Sequence, residues 1–162
     1  MRVLVISDTH DNVFALKHVL GFARAQNMEA IIHCGDWASA HVVRIVLEAD
    51  IPLYGVMGNA DEARAGEIWP LLERANAKQD VLEFELDGRR VAMAHKSYDL
   101  TEQIKSGEFD VIFYGHFHMR AVVKKYGETL IVNPGALGKT TKPSFAVYDT
   151  KTNSATIIEV PF

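Results

Sequence analysis

The sequence predicts an α/β fold in which two β-sheets pack face to face with helices on the outside. Three observations lead there. With 162 residues, of which 48% are apolar and 23% charged, the chain can bury one sizeable core, and 11 Gly plus 5 Pro are too few for a disordered or fibrous class. From Val3 to Asn59, short β-branched runs alternate with stretches of helical spacing, as in a largely parallel sheet. Beyond Val81, the apolar runs are joined by tight turns instead, and a second sheet packed on the first accommodates them.

Taken in order, Val3 to Ile6 reads as a strand buried on both faces, ending abruptly in Ser7-Asp8-Thr9-His10. Leu16, Val19, Leu20 and Ala23 then lie on one face of a helix, with Asp11 or Asn12 as its N-cap. Ala30 to His33 leads into Cys34-Gly35-Asp36, and Val42, Val43, Val46 and Leu47 mark a second helix. Ile51 to Met57 leads into Gly58-Asn59. Val81 to Leu86 alternates apolar and acidic residues, and Asp87-Gly88 is a two-residue hairpin signal into Arg89 to Ala94. A helix is expected from about Leu100 to Lys105, followed by a strand Val111 to Tyr114 that ends in Gly115-His116-Phe117-His118. The remaining strands, Ala121 to Lys125, Leu130 to Val132, Phe145 to Tyr148 and Ala155 to Val160, read as antiparallel. No repeat or linker interrupts the chain, so residues 1–162 are expected to form a single domain.

Composition narrows the function classes. A single cysteine, Cys34, allows no intrachain disulfide, Val3 to Ile6 is too short for the core of a secretory signal, and no run approaches the roughly 18 apolar residues of a membrane span, so a cytoplasmic protein with no membrane partner is expected. The net charge of −4 argues against a general nucleic-acid binder, although residues 88–142 carry nine Lys/Arg against five Asp/Glu, which leaves −8 elsewhere. Association into a homo-oligomer is left open.

The chemistry sits at the ends of the strands. Five apolar runs finish in metal-capable side chains: Asp8 and His10, Asp36, Asn59, His95, and His116 with His118. In α/β sheets the carboxyl ends of strands converge on one rim, so these residues can meet there. Residues i and i+2 of an extended segment project from one face about 7 Å apart, a spacing shared by Asp8/His10 and His116/His118. Gly35, Gly58 and Gly115 are expected to let the backbone turn sharply beside them. Mixed oxygen and nitrogen donors suit Mn, Fe, Zn, Co or Ni rather than Ca. Any one of these motifs is common and more often structural than functional. For the ordered set, however, a purely structural explanation would need buried polar groups to end strand after strand without partners, at about 1–3 kcal/mol each.

Read together, Ser7-Asp8-Thr9-His10-Asp11-Asn12, Gly35-Asp36, Gly58-Asn59-Ala60-Asp61, His95, Gly115-His116-Phe117-His118 and Asn133-Pro134-Gly135 resemble the calcineurin-like metallophosphoesterases, and specifically their small single-domain phosphodiesterase members. The resemblance implies two packed mixed β-sheets flanked by helices, a four-layer α/β/β/α fold. It implies two divalent transition-metal ions, manganese first among Mn, Ni, Fe, Zn and Co. Asp8, His10 and His118 would hold one ion, Asn59, His95 and His116 the other, and Asp36 would bridge them. A metal-bridging hydroxide would be the nucleophile, with no side chain in a further catalytic role. Two divalent ions, two carboxylates and one hydroxide sum to a single positive charge, which a phosphodiester monoanion neutralises. The implied partner is a small phosphoester. The alternatives are a phosphomonoesterase, which needs a more positive pocket, and a non-catalytic interaction scaffold of the same fold, like the small retromer subunit. A nucleic-acid duplex is not expected, because the domain that larger nucleases of the family add is lacking.

The chain departs from the family at three places. Ala60 stands where a histidine usually contacts substrate and assists the leaving group, so dependence on metal-bound hydroxide and good leaving groups is expected. Ala94 replaces the usual Gly before His95, and Ser39 stands where many members carry an acidic residue. Asn12, at a helix N-terminus, and Arg120, two residues past His118, are candidate substrate contacts, with capping and solvation as their ordinary roles. His33 reads as a satisfied buried histidine, His18 as solvated, His41 as a rim residue and Cys34 as a small buried filler.

Overall fold

The computed structural model describes residues 1–118 and 121–161. Its elements run β1 (Arg2–Ile6), α1 (Val13–Ala25), β2 (Ala30–His33), α2 (Ala40–Leu47), β3 (Leu53–Val56), α3 (Ala65–Leu72), β4 (Asn76–Lys78), β5 (Leu82–Leu86), β6 (Arg89–Met93), α4 (Thr101–Ser106), β7 (Val111–Phe113), β8 (Val122–Tyr126), β9 (Thr129–Asn133), β10 (Ser144–Asp149) and β11 (Ser154–Glu159). Six strands form one sheet in the order β11-β10-β1-β2-β3-β4, and five form the other in the order β5-β6-β7-β9-β8. Both sheets are mixed. β1 to β4 run parallel to one another, with β10 and β11 antiparallel at the edge.

The period-2 alternation of each strand assigns its residues to layers. Leu4, Ile6 and Ile31 pack with Leu16, Val19, Leu20, Val43, Val46 and Ile68, which line α1, α2 and α3. Val3, Val5 and Ile32 face the other way and pack on Val91, Met93, Val111, Phe113 and Val132 of the second sheet. The outer face of that sheet, Ala92, Ile112 and Ile131, is covered by Leu100, Phe109 and Ile104 around α4. The result is the expected four-layer α/β/β/α order. Among the described residues no helix is long and apolar enough to cross a membrane.

One stretch carried no expectation, and one expectation needs correction. α3 and β4 lie where no element was expected: Gly66 and Pro70 interrupt the helical pattern of α3, and β4 has only three residues. The C-terminal strands are not all antiparallel. β9 pairs antiparallel with β8 but parallel with β7, so the chain crosses over before entering the centre of the second sheet.

Candidate metal centre

Each predicted ligand sits just beyond the carboxyl end of β1, β2, β3, β6 or β7, and backbone hydrogen bonds tie these loops to one another. The Asp8 N–H donates to Gly35 O (2.9 Å) and the His10 N–H to Asp36 O (3.1 Å), which fastens the loop after β1 to the loop after β2. The Gly115 N–H donates to His95 O (2.9 Å) and the His116 N–H to the Asp8 carboxylate (3.0 Å), which brings in the second sheet. The i, i+2 pairs do not arise from extended backbone as expected. Asp8, His10, Asp36 and His116 all have positive φ (51°, 42°, 59° and 71°), so the strands have already ended and left-handed turns aim the side chains inward. Asp and His tolerate that region better than most residues, because a short polar side chain can bond locally.

All seven predicted ligands come together. Ligand atoms of Asp8, His10, Asp36 and His118 lie within 4.8 Å of one another. The His10 and His118 Nε2 atoms are 3.1 Å apart, and His118 Nε2 is 3.0 Å from Asp8 Oδ1. On the other side, His95 Nε2 lies 3.1 Å from Asn59 Oδ1, 3.3 Å from His116 Nδ1 and 3.3 Å from Asp36 Oδ1. The second Asp36 oxygen, Oδ2, faces His10 Nε2 at 3.2 Å. One carboxylate therefore presents an oxygen to each half of the cluster.

The chemistry of the donor set fits divalent cations. Asp8 Oδ2 accepts from Ser7 Oγ (2.5 Å) and from the His116 N–H, yet Asp8 Oδ1 is buried with no hydrogen-bond partner, despite its short approach to His118. An orphaned buried carboxylate oxygen is costly unless a cation meets it. His95 Nδ1 donates to Cys34 O (2.8 Å), which fixes the tautomer and leaves the Nε2 lone pair facing the cluster, the orientation a ligating imidazole needs.

Charges are shifted accordingly. Burial pushes the Asp36 carboxyl up, but the imidazoles of His10 and His95 beside it and the Ala60 N–H that donates to it outweigh this and hold the carboxyl far below the usual range. Burial lowers His95, and the adjacent Asp36 carboxylate more than reverses that. His116 is lowered by burial and by the neighbouring His95.

Three supporting residues act beneath the ligands. Asp61, fully buried, accepts the N–H groups of Asp36 (3.0 Å), Ala38 (2.8 Å) and Gly58 (2.8 Å), so one carboxylate holds the loops after β2 and β3 together. Its place in the Gly58-Asn59-Ala60-Asp61 motif gave no sign of that role. Gly58 and Gly115 are required by close approach rather than by the sharp turns expected of them. A Cβ on Gly58 would run into the Asp36 carboxylate, and one on Gly115 into Ser7 Oγ, whereas Gly35, at φ 92°, does make the turn.

The remaining predicted residues divide clearly. Asn12 is the N-cap of α1: its Oδ1 accepts from the Ala15 N–H (3.1 Å) and its Nδ2 donates to Leu137 O (2.8 Å), so both ends of the amide are engaged inside the chain. Arg120 lies outside the described residues. Ser39 caps α2 and donates to the Asp11 carboxylate. His33 is buried with both ring nitrogens bonded, Cys34 is buried with its thiol pushed up by burial, and His18 and His41 are exposed.

Known proteins agree with this architecture. The profile of the calcineurin-like phosphoesterase superfamily domain matches residues 1–153. A phosphodiesterase of Methanocaldococcus jannaschii is 30% identical over 139 residues, 83% of each chain. The solved structure of an archaeal phosphodiesterase superposes with a TM-score of 0.87 at 28% identity, covering 99% of this chain and 100% of that one. Vacuolar protein sorting 29 of Cryptosporidium parvum, at 17% identity and a TM-score of 0.68 over 99% and 97% of the two chains, shares the fold.

Proposed function

The chain belongs to the calcineurin-like phosphoesterase superfamily as a metal-dependent phosphoric ester hydrolase, and on that premise we propose that it is a dinuclear phosphodiesterase acting on a small phosphoester. Asp8, His10 and His118 would hold one ion, Asn59, His95 and His116 the other, with Asp36 shared. What carries the reading is the Asp36 carboxylate, whose Oδ1 and Oδ2 lie 3.3 and 3.2 Å from imidazole nitrogens on opposite sides. When bound, two divalent transition-metal ions, manganese first among them, supply an activated water for attack at phosphorus and the charge that steadies the transition state.

The chain's own residues set the charge balance and the geometry. Asp8 and Asp36 are the only carboxylates among the seven donors, so they offset about half the charge of two divalent ions and leave a positive floor for an anionic ester. Asp8 is held by Ser7 and by the His116 N–H, and Asp36 by the Ala60 N–H (2.9 Å), so the donors stand in position before substrate arrives. Position 60 offers only that N–H and no side-chain proton donor, so the reaction would favour esters whose alcohol leaves readily. A 230 Å³ cavity lined by Asn59, His95, Lys96, Gln79, Asp80 and Glu62 opens beside the cluster and gives the departing group a place.

The test is turnover of bis-p-nitrophenyl phosphate against p-nitrophenyl phosphate after chelation and reloading with Mn²⁺. Faster cleavage of the diester, its loss in Asp36→Ala, and two bound ions per chain are expected. A protein that binds no transition metal, or that prefers the monoester, overturns the proposal.

A further inference from the structure

The helix layer carries a second cleft, away from the metal cluster. α1 and α2 cover the same face of the first sheet, and because each follows one of two parallel strands they run side by side in the same direction. On matching turns Lys17 stands across from His41, Gly21 from Ile45 and Arg24 from Glu48. The last pairing is seen directly, since Arg24 Nη2 donates to Glu48 O (3.3 Å). Between the helices these residues line a cavity of 420 Å³, the size of a small-molecule site.

The mouth of the cavity is basic, on a chain whose net charge is −4. Among the described residues, none of Lys17, Arg24 and His41 lies within ion-pair distance of a carboxylate. The floor is apolar, with Leu20 buried and Ile45 half-buried. Gly21 keeps that floor open. It stands inside α1, where glycine weakens a helix relative to alanine, yet a Cβ there would meet nothing within 4 Å, so packing does not require it. Both ends are closed, one by the bond from Arg24 to Glu48, the other by Ser39, which caps α2 and donates to Asp11 just ahead of α1.

From this arrangement we propose that the cleft between α1 and α2 binds a small organic anion, its charged head between Lys17 and His41 and its apolar body across Gly21 onto Leu20 and Ile45. The inference does not depend on the phosphodiesterase reading, because no candidate metal ligand lines the cleft. From Lys17 to Arg24 is two helical turns, about 10 Å, which suits a single ring with an anionic head. A peptide or partner helix fits less well, since the bonds at both ends stop a longer ligand from running through. A bare inorganic anion would leave the floor uncovered, and a neutral apolar molecule would leave Lys17 and His41 unanswered. Glu48 disfavours a second negative group at the far end, so one head is expected.

Phenylphosphonate and benzoate share one ring and differ in the head. Inorganic phosphate supplies a head alone and benzyl alcohol a body alone. In ¹⁵N NMR of the Zn²⁺-loaded protein, whose ions are diamagnetic, at least one aryl anion should shift the Gly21 and Ile45 amides with a Kd of about 1 mM or tighter, and bind about fivefold or more tighter than phosphate or benzyl alcohol. The better of the two heads tells a phosphate-type ligand from a carboxylate. Lys17→Ala should weaken binding about tenfold, as expected for one charge-assisted contact. Gly21→Leu, whose side chain enters open space, should abolish binding with the unfolding temperature preserved. Lys105→Ala, on α4, should change nothing. All three variants should cleave bis-p-nitrophenyl phosphate as the wild type does.

Binding that survives Gly21→Leu or Lys17→Ala, equal binding of phosphate or benzyl alcohol, or shifts confined to Gly35, Gly58 and Gly115 of the metal loops overturns the cleft site and leaves the phosphodiesterase reading standing. A wild type that cleaves no diester refutes that reading, and the NMR titration still decides the cleft.

Discussion

His33 provides a quantitative test of how the two central loops are joined. The ring has no solvent exposure and stacks on Trp37 with centroids 3.5 Å apart and planes 10° from parallel. Its Nδ1 accepts the Gly35 N–H (3.2 Å), so the proton is assigned to Nε2, which donates to Thr9 Oγ1 (2.8 Å). One neutral imidazole thus joins the loop carrying Asp8 and His10 to the loop carrying Asp36. Burial, reinforced by the charge of His95, pushes its pKa down to about 3. In the unfolded chain the ring takes up a proton below about 6.5, and in the folded protein it stays neutral until about 3. Its contribution to stability is therefore complete above the unfolded value and falls as the pH drops through that window. At about 1.4 kcal/mol per pH unit, acidification from pH 7.5 to 4.5 should remove about 2.5 kcal/mol through this residue alone. Urea unfolding of the metal-free protein at the two pH values, compared with His33→Gln, measures it. Other titrating groups are common to both proteins and cancel in the comparison. If both proteins lose the same stability on acidification, the buried neutral state assigned to His33 is wrong.

Further predictions concern the supports of the cluster. Asp61→Ala leaves three buried N–H groups without an acceptor, at about 1–3 kcal/mol each before water enters, so a loss of about 3–5 kcal/mol in urea unfolding is expected, together with about 10–100-fold weaker Mn²⁺ binding by calorimetry. Gly58→Ala should abolish Mn²⁺ binding, because its Cβ would occupy the position of the Asp36 carboxylate, whereas Gly66→Ala, with nothing within 4 Å, should bind normally and gain up to about 1 kcal/mol of stability. Ala60→His should raise turnover of diesters with poor leaving groups, toward the roughly 10²–10⁴-fold that general acid catalysis supplies, and leave activated aryl esters nearly unchanged. Equal effects on both ester classes would rule out a missing proton donor at that position.

Much of this architecture was legible in the sequence because the strands that matter are short, apolar and followed directly by the ligands. Ala30 to His33 is delimited by its own composition, and the switch from Val3–Ile6 to Ser7-Asp8 marks the rim without any tertiary information. α3 was not legible, since Gly66 and Pro70 erase the pattern on which such a reading depends, and β4 owes its existence to pairing with β3. The seven candidate donors followed from strand ends, but their geometry did not. Left-handed backbone at Asp8, His10, Asp36 and His116 is set by bonds to residues far along the chain, which local spacing cannot report. Asp61 escaped notice for the same reason, because its partners Asp36 and Ala38 lie 25 and 23 positions away.

The strained turns also indicate what holds the cluster in shape. A non-glycine residue in the left-handed region costs about 1 kcal/mol or more and persists only where the surroundings over-determine it. Here the determination is visible: Asp8 N–H to Gly35 O, His10 N–H to Asp36 O, Asp36 N–H to Asp61, and His116 N–H to Asp8. These bonds use main-chain donors throughout, and only two of them need the side chain of another residue. The loops are consequently shaped by main-chain bonding, the carboxylates of Asp8, Asp36 and Asp61 and the His33 bridge, while His10, His95, His116 and His118 remain free to present nitrogen lone pairs. The carboxylates thus serve both folding and the candidate site, the histidines chiefly the site, and the orphaned Asp8 oxygen is the one donor atom whose burial a cation would offset.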